Sequence, residues 1–212
     1  MKVSHRDLMH PMPAKLLPLG MDWLFELKYD GFRCLALKDG RQVRLLSRRG
    51  REMAQSFPEV VAAILALRGT VAIDGELVVM HNGLPDFERL ARRALTRLPI
   101  AVARAQQRDA TVFCAFDLLW RAKDQRRRPL SERKAGLQEL LHEAPPGIVY
   151  IDHVHAGAET YAFAVANGLE GIVAKRAGSP YVGRRSHDWR KIKTPADGSA
   201  SGRGLIVNVL PF

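Results

Sequence analysis

The stretch Glu26-Leu27-Lys28-Tyr29-Asp30-Gly31-Phe32-Arg33 sets a lysine inside an apolar run, two residues ahead of an Asp-Gly dipeptide. The run from Trp23 predicts a half-buried strand, and Asp-Gly predicts a tight hairpin turn after it. Lysine is rarely buried without a partner. Lys28 therefore needs either a counter-charge, such as Asp30 or Glu26, or a chemical use for its amine. A free lysine has a pKa of about 10.4, so a nucleophilic amine depends on desolvation or neighbouring cations to supply its neutral form. A surface hairpin lysine beside an ordinary turn is the plainer alternative, and the rest of the chain has to decide between the two.

The strand-like pattern continues to Ser47 and breaks again at Asp39-Gly40, which predicts three short antiparallel strands with Lys28 on the first. The third ends in Ser47-Arg48-Arg49-Gly50, where arginine forks beside a glycine suit a phosphate or a ribose. Phe57, Val60, Val61, Ile64 and Leu65 recur at helical spacing, giving an amphipathic helix over 56–67. Residues 71–79 read as a buried strand interrupted by Asp74-Gly75-Glu76. Carboxylates inside an apolar run are costly unless they meet a metal, a base or a hydroxyl. Residues 86–108 read as helical and carry Arg89, Arg92, Arg93, Arg97, Arg104 and Arg108, a basic face. A further strand over 111–120 contains Phe116 and Asp117, and a helix is predicted from Ser131 to about His142. Another helix is predicted over 158–167. The strand at 170–176 opens with Glu170-Gly171. In the last clear strand, Lys191 and Lys193 share one face, and two ammoniums held together there ask for an anion between them. Residues 205–210 predict one more strand.

Composition narrows the partners. The 212 residues suit one large domain or two small ones, with 47% hydrophobic and 26% charged residues. Lys plus Arg number 33 against 22 Asp plus Glu, a formal charge of +11, which favours a polyanion and nucleic acid before a membrane surface. Cys34 and Cys114 are far apart, each in an apolar run, and read as reduced core thiols of a cytoplasmic protein. No signal-peptide core or membrane-length apolar stretch is visible. The expected organisation is an irregular lead-in over 1–20, a main domain over 21–195 and a tail over 196–212.

Taken together, Lys28-Tyr29-Asp30-Gly31, Ser47-Arg48-Arg49-Gly50, Asp74-Gly75-Glu76, Phe116-Asp117-Leu118-Leu119, Glu170-Gly171 and Lys191-Ile192-Lys193 resemble the ordered motifs of the covalent nucleotidyltransferases. The nearest likeness is to the adenylation domain of ATP-dependent DNA ligases of the bacterial end-joining type. The resemblance implies an α+β fold of antiparallel sheets flanked by helices, with ATP in the cleft between them. It implies Lys28 as the nucleophile that takes AMP, Glu26 near the adenine edge, Phe116 stacked on the base, and Glu76 and Arg33 facing the ribose. It also implies Arg48 near a nucleotide or nick phosphate, Lys191 and Lys193 gripping the α-phosphate, and Glu170 with Glu76 holding Mg²⁺ or Mn²⁺. The implied substrate is nicked or broken double-stranded DNA. Ligases of this family continue after the Lys-x-Lys strand into an OB-fold domain, so an OB domain or repair partner supplied in trans is expected. An RNA ligase, a GTP-dependent capping-type enzyme and a non-catalytic nucleic-acid-binding relative are the alternatives.

Overall fold

The computed structural model describes residues 1–195. In chain order its strands are β1 (His10–Pro13), β2 (Trp23–Lys28), β3 (Phe32–Asp39), β4 (Gln42–Ser47), β5 (Val71–His81) and β6 (Leu84–Pro85). They continue with β7 (Thr111–Arg121), β8 (Lys123–Asp124), β9 (Ile148–Tyr150), β10 (Gly171–Arg176) and β11 (Arg185–Lys193). The helices are α1 (Pro58–Ala66), α2 (Phe87–Leu95), α3 (Pro99–Arg108), α4 (Leu130–Leu141) and α5 (Gly157–Ala166).

The strands form two sheets. One has the order β1-β11-β10-β2; the other runs β4-β3-β5-β7-β8, with β6 on β5 and β9 on β7. Most pairs are antiparallel, and β1 with β11 and β7 with β9 are parallel. Strand periodicity then sorts the side chains into layers. Along β3, Cys34 and Ala36 face the core beneath α1 and α2, whereas Leu35 and Leu37 join Met9, Tyr181 and Trp189 between the sheets. Along β2 and β10, Trp23, Phe25, Ile172 and Ala174 pack on the outer side with Ala164 of α5. The alternate residues of those two strands, Glu26, Lys28, Val173 and Lys175, are left facing the second sheet.

Four sequence expectations are corrected. The Asp30-Gly31 turn does not close a hairpin: β2 pairs with β10 and β3 pairs with β4 and β5, so the chain crosses there from one sheet to the other. The Asp39-Gly40 turn does close one, with Asp39 opposite Gln42. The 86–108 segment is two helices, because Pro99 lacks an N–H and holds Leu98 extended at φ −68° and ψ 130°. Residues 1–20 are not an irregular lead-in, since β1 extends the first sheet and Leu8 and Met9 are fully buried. Helix α4 starts from Pro129 with no side-chain cap from Ser131. The strand expected at 205–210 lies outside the described residues.

Candidate active site

The cleft lies between the two sheets. Glu26, Lys28, Val173, Lys175 and Trp189 line it from one side, and Arg33, Glu76, Cys114 and Phe116 from the other. The crossing at residues 29–31 joins the walls and depends on Gly31. A Cβ there would overlap the Leu77 carbonyl oxygen and the Glu76 side chain, so only glycine lets the chain close onto β5. Lys28 thus ends one wall, and Arg33, opposite Glu76 in register, begins the other.

At the first end of the cleft, Gly171 is the register partner of both Lys28 and Lys193. Its φ of +144° and the overlap a Cβ would make with the Ile192 carbonyl oxygen require glycine. With no side chain between the two lysines, Glu170 reaches both. Lys28 Nζ donates to Glu170 Oε2, and Lys193 Nζ lies 3.0 Å from Glu170 Oε1. Burial opposes ionisation of Glu170, but the two ammoniums prevail and hold its carboxyl below the usual range. Lys28 has 23% of its side chain exposed, so the amine is partly desolvated yet open to the cleft. Lys191, opposite Val173, shares the strand face of Lys193 and makes no ion pair among the described residues.

A second cluster forms the floor. Glu26 is buried and accepts from Lys134 Nζ at 2.6 Å and Lys175 Nζ at 2.5 Å. Burial alone would raise its pKa, and the two lysines reverse that and hold the carboxyl below its ordinary value. Lys175 Nζ stands 4.2 Å from the Phe116 ring centre and 4.3 Å from that of Trp189. Desolvation pushes Lys175 down to about 8, against the pull of Glu26.

The opposite wall is braced from behind. Arg33 makes a bidentate pair with buried Asp74, both contacts at 2.6 Å, and donates to the Met9 carbonyl at 3.1 Å. Tyr181 donates to the same carboxylate at 2.5 Å and accepts from the Met9 amide. The Arg33 fork is thereby committed to Asp74, with its plane 4.6 Å from the Phe116 ring centre. Glu76 makes no hydrogen bond among the described residues, and burial, with Asp74 and Glu170 adding to it against Arg33 and Lys28, pushes its carboxyl up to about 7. Arg48 is exposed on the turn after β4, outside the cleft lining, and its charge together with burial and Arg33 lowers the pKa of His10.

Of the residues singled out in the sequence, Glu26, Lys28, Arg33, Glu76 and Phe116 therefore share one cleft, with Glu170 and Lys193 at its Lys28 end. Lys175 and Lys134 were missed. Lys175 carried the same signal as Lys28, a lysine at the inward phase of an apolar strand; Lys134 carried none, because a lysine in a helix beside Arg133 reads as solvated.

A half-buried amine, a carboxylate bridging two lysines and an aromatic floor between two sheets define a covalent nucleotidyltransferase fold. The family model for the ATP dependent DNA ligase domain matches residues 10–193, and the chain belongs to that family, in its bacterial LigD type. The SPbeta prophage-derived DNA ligase-like protein LigB of Bacillus subtilis is 33% identical over 174 residues, covering 81% of this chain and 61% of its own length. DNA ligase C2 of Mycolicibacterium smegmatis is 39% identical over 165 residues, covering 75% of this chain and 46% of its own. Among solved structures, mycobacterial DNA ligase D complexed with ATP and MES superposes with a TM-score of 0.72 at 27% identity, over 88% of this chain and 59% of that one. The chain thus spans less than two thirds of the length of each of these three proteins. No helix among the described residues is long and apolar enough to cross a membrane.

Proposed function

We propose that the chain is the adenylation domain of an ATP-dependent DNA ligase, in which Lys28 takes AMP from ATP. The observation that carries this is the Lys28, Glu170 and Lys193 line across Gly171, which places a partly desolvated amine beside a cation able to bind the phosphate it attacks. The neutral amine of Lys28 forms an N–P bond to the α-phosphorus as the bond to pyrophosphate breaks, and the nitrogen then releases one proton to solvent, leaving a phosphoramidate. An arriving triphosphate competes with Glu170 for both lysines, so Glu170 acts as a stand-in anion that keeps them in place. Lys191, on the same strand face, is the further grip on the α-phosphate. Phe116 and the Glu26 and Lys175 pair receive the base, Arg33 and Glu76 the ribose, and Arg48 a phosphate of the nick.

Glu76 and Glu170 suit a divalent ion, Mg²⁺ or Mn²⁺, because oxygen donors match such ions and a cation would relieve the carboxyl that burial pushes up to about 7. When bound, the ion would neutralise charge on the departing pyrophosphate. AMP then passes to the 5′-phosphate of nicked or broken double-stranded DNA, and the 3′-hydroxyl displaces it to seal the strand. An OB-fold domain or a repair partner in trans would complete the enzyme. In this reading the catalytic unit comprises 21–195 with the strand that precedes it.

Intact-mass measurement after incubation with ATP and Mg²⁺ tests the chemistry. A gain of one AMP in the wild type, absent in Lys28→Ala, is the expected result. An adduct formed from GTP alone points to a capping-type enzyme, and nick binding without any adduct in either protein points to a binding module.

A further inference from the structure

Helix α4 grips both walls of the cleft with two consecutive side chains. Arg133 closes a bidentate pair on Asp117 of β7, at 2.7 and 2.9 Å, and also donates to the carbonyls of Arg128 and Ser179. Lys134 reaches the other sheet, donating to Glu26 of β2 at 2.6 Å and to the Ile151 carbonyl at 2.9 Å. Neighbouring residues on a helix diverge by about 100°, which is why one turn can address two sheets. Arg133, Asp117, Lys134 and Glu26 are all buried. Glu26 also holds Lys175, so it relays between Lys134, which lies outside the cleft lining, and a cation that lies within it. Two buried ammoniums on one carboxylate leave a net positive charge. Stability alone does not favour such a triad, because buried charges repay their desolvation poorly.

We propose that Lys134 is a positioning residue for nucleotide capture: by occupying one oxygen of Glu26 it leaves the other for Lys175, and so fixes the Lys175 ammonium at the Phe116 and Trp189 rings where the base is received. This rests on the nucleotide-binding function proposed above. The charged groups facing Lys175 are Glu26 from β2, Lys134 from α4 and Asp117 from β7, with Arg33 of β3 on the same Phe116 ring. Lys134 is the like charge among them that touches Glu26, and it helps burial to hold Lys175 at about 8.

The test is calorimetric titration of the chain with ATP from about pH 6.5 to 9.5, spanning the value at which Lys175 loses its proton. Wild-type affinity is expected to fall above about 8, a step separate from any change near 7, where Glu76 of the same cleft loses its proton. Lys134→Met is expected to weaken binding about tenfold at neutral pH, with the alkaline fall moved to higher pH, and to add nothing in a Glu26→Gln background. Lys134→Gln keeps a donor for Glu26 and Ile151, and is expected to bind within about threefold of wild type while its alkaline fall also moves up. Should Lys134→Met fail to fold, the Lys134→Gln profile decides, and an unmoved alkaline fall overturns the proposal. Wild-type affinity in Lys134→Met, or an equal loss in both backgrounds, overturns it while leaving the nucleotide-binding function intact. A wild-type chain that does not bind ATP removes that function and this proposal with it.

Discussion

Lys28 and Lys175 both sit in apolar strands, yet their surroundings divide their work. Each shares a carboxylate with a second ammonium, but Lys28 has 23% of its side chain exposed and is open to the cleft, whereas Lys175 is 2% exposed. The carboxyls divide in the same way. Glu26 and Glu170 are paired and held low, and Glu76 is unpaired among the described residues and raised to about 7. Between the unfolded value of 4.5 and about 7, the folded chain keeps a proton on Glu76 that the unfolded chain has lost, so stability from this group declines as pH rises through that window. The full cost above pH 7 is about 3 kcal/mol. Glu76→Gln is therefore expected to stabilise the chain at pH 8 by up to about 3 kcal/mol in urea unfolding without metal. Millimolar Mg²⁺ should stabilise the wild type there and leave Glu76→Gln unmoved; equal Mg²⁺ responses would remove Glu76 from the metal site.

The elements that shape the cleft turn on two glycines. Gly171→Ala puts a methyl into the Ile192 carbonyl at a φ that L-residues avoid, and Gly31→Ala puts one into the Leu77 carbonyl. Each is expected to cost about 2 kcal/mol or more and to abolish the AMP adduct, because each parts the strands that align Lys28. Gly178→Ala, with open space and an ordinary φ, is expected to change stability by less than about 1 kcal/mol. Comparison of their denaturant midpoints checks the ranking. The Asp30-Gly31 pair also shows where the sequence stops being legible. Strand existence was readable from alternation over 23–47, 71–79, 111–120 and 170–176, because burying one face imposes that period. Which strand pairs with which was not readable at residue 30. An Asp-Gly that turns a hairpin and one that crosses between sheets use the same local chemistry, and only the distant β10 settles the choice. The acid-base positions were legible because charges interrupt apolar runs. Lys134 was not, because a helix lysine becomes buried only through contacts made 108 residues away in sequence.

Across the whole molecule, the +11 charge is divided between cations that hold the fold and cations left for a partner. Arg93 is fully buried against Glu59 at 2.6 Å and over the Phe57 ring, and Arg89 is tied to Asp86 and Asp109. The basic face expected over 86–108 is thus partly structural, and only exposed members such as Arg92 and Arg97 are free to meet phosphate. Arg48, on the turn after β4, is also exposed. Nicked-DNA affinity is expected to fall linearly with salt on logarithmic axes, by about a thousandfold between roughly 50 and 200 mM if about six phosphates are neutralised. Arg48→Ala should reduce that slope by about 1 and leave the unfolding midpoint within about 0.5 kcal/mol of wild type. Arg93→Met should do the opposite, costing about 3 kcal/mol because the mostly buried Glu59 loses its counter-charge and keeps only the Thr111 amide, with the slope intact. If both substitutions weaken DNA binding in proportion to lost stability, the basic charge serves the fold alone and the nick has to be held by another part of the protein.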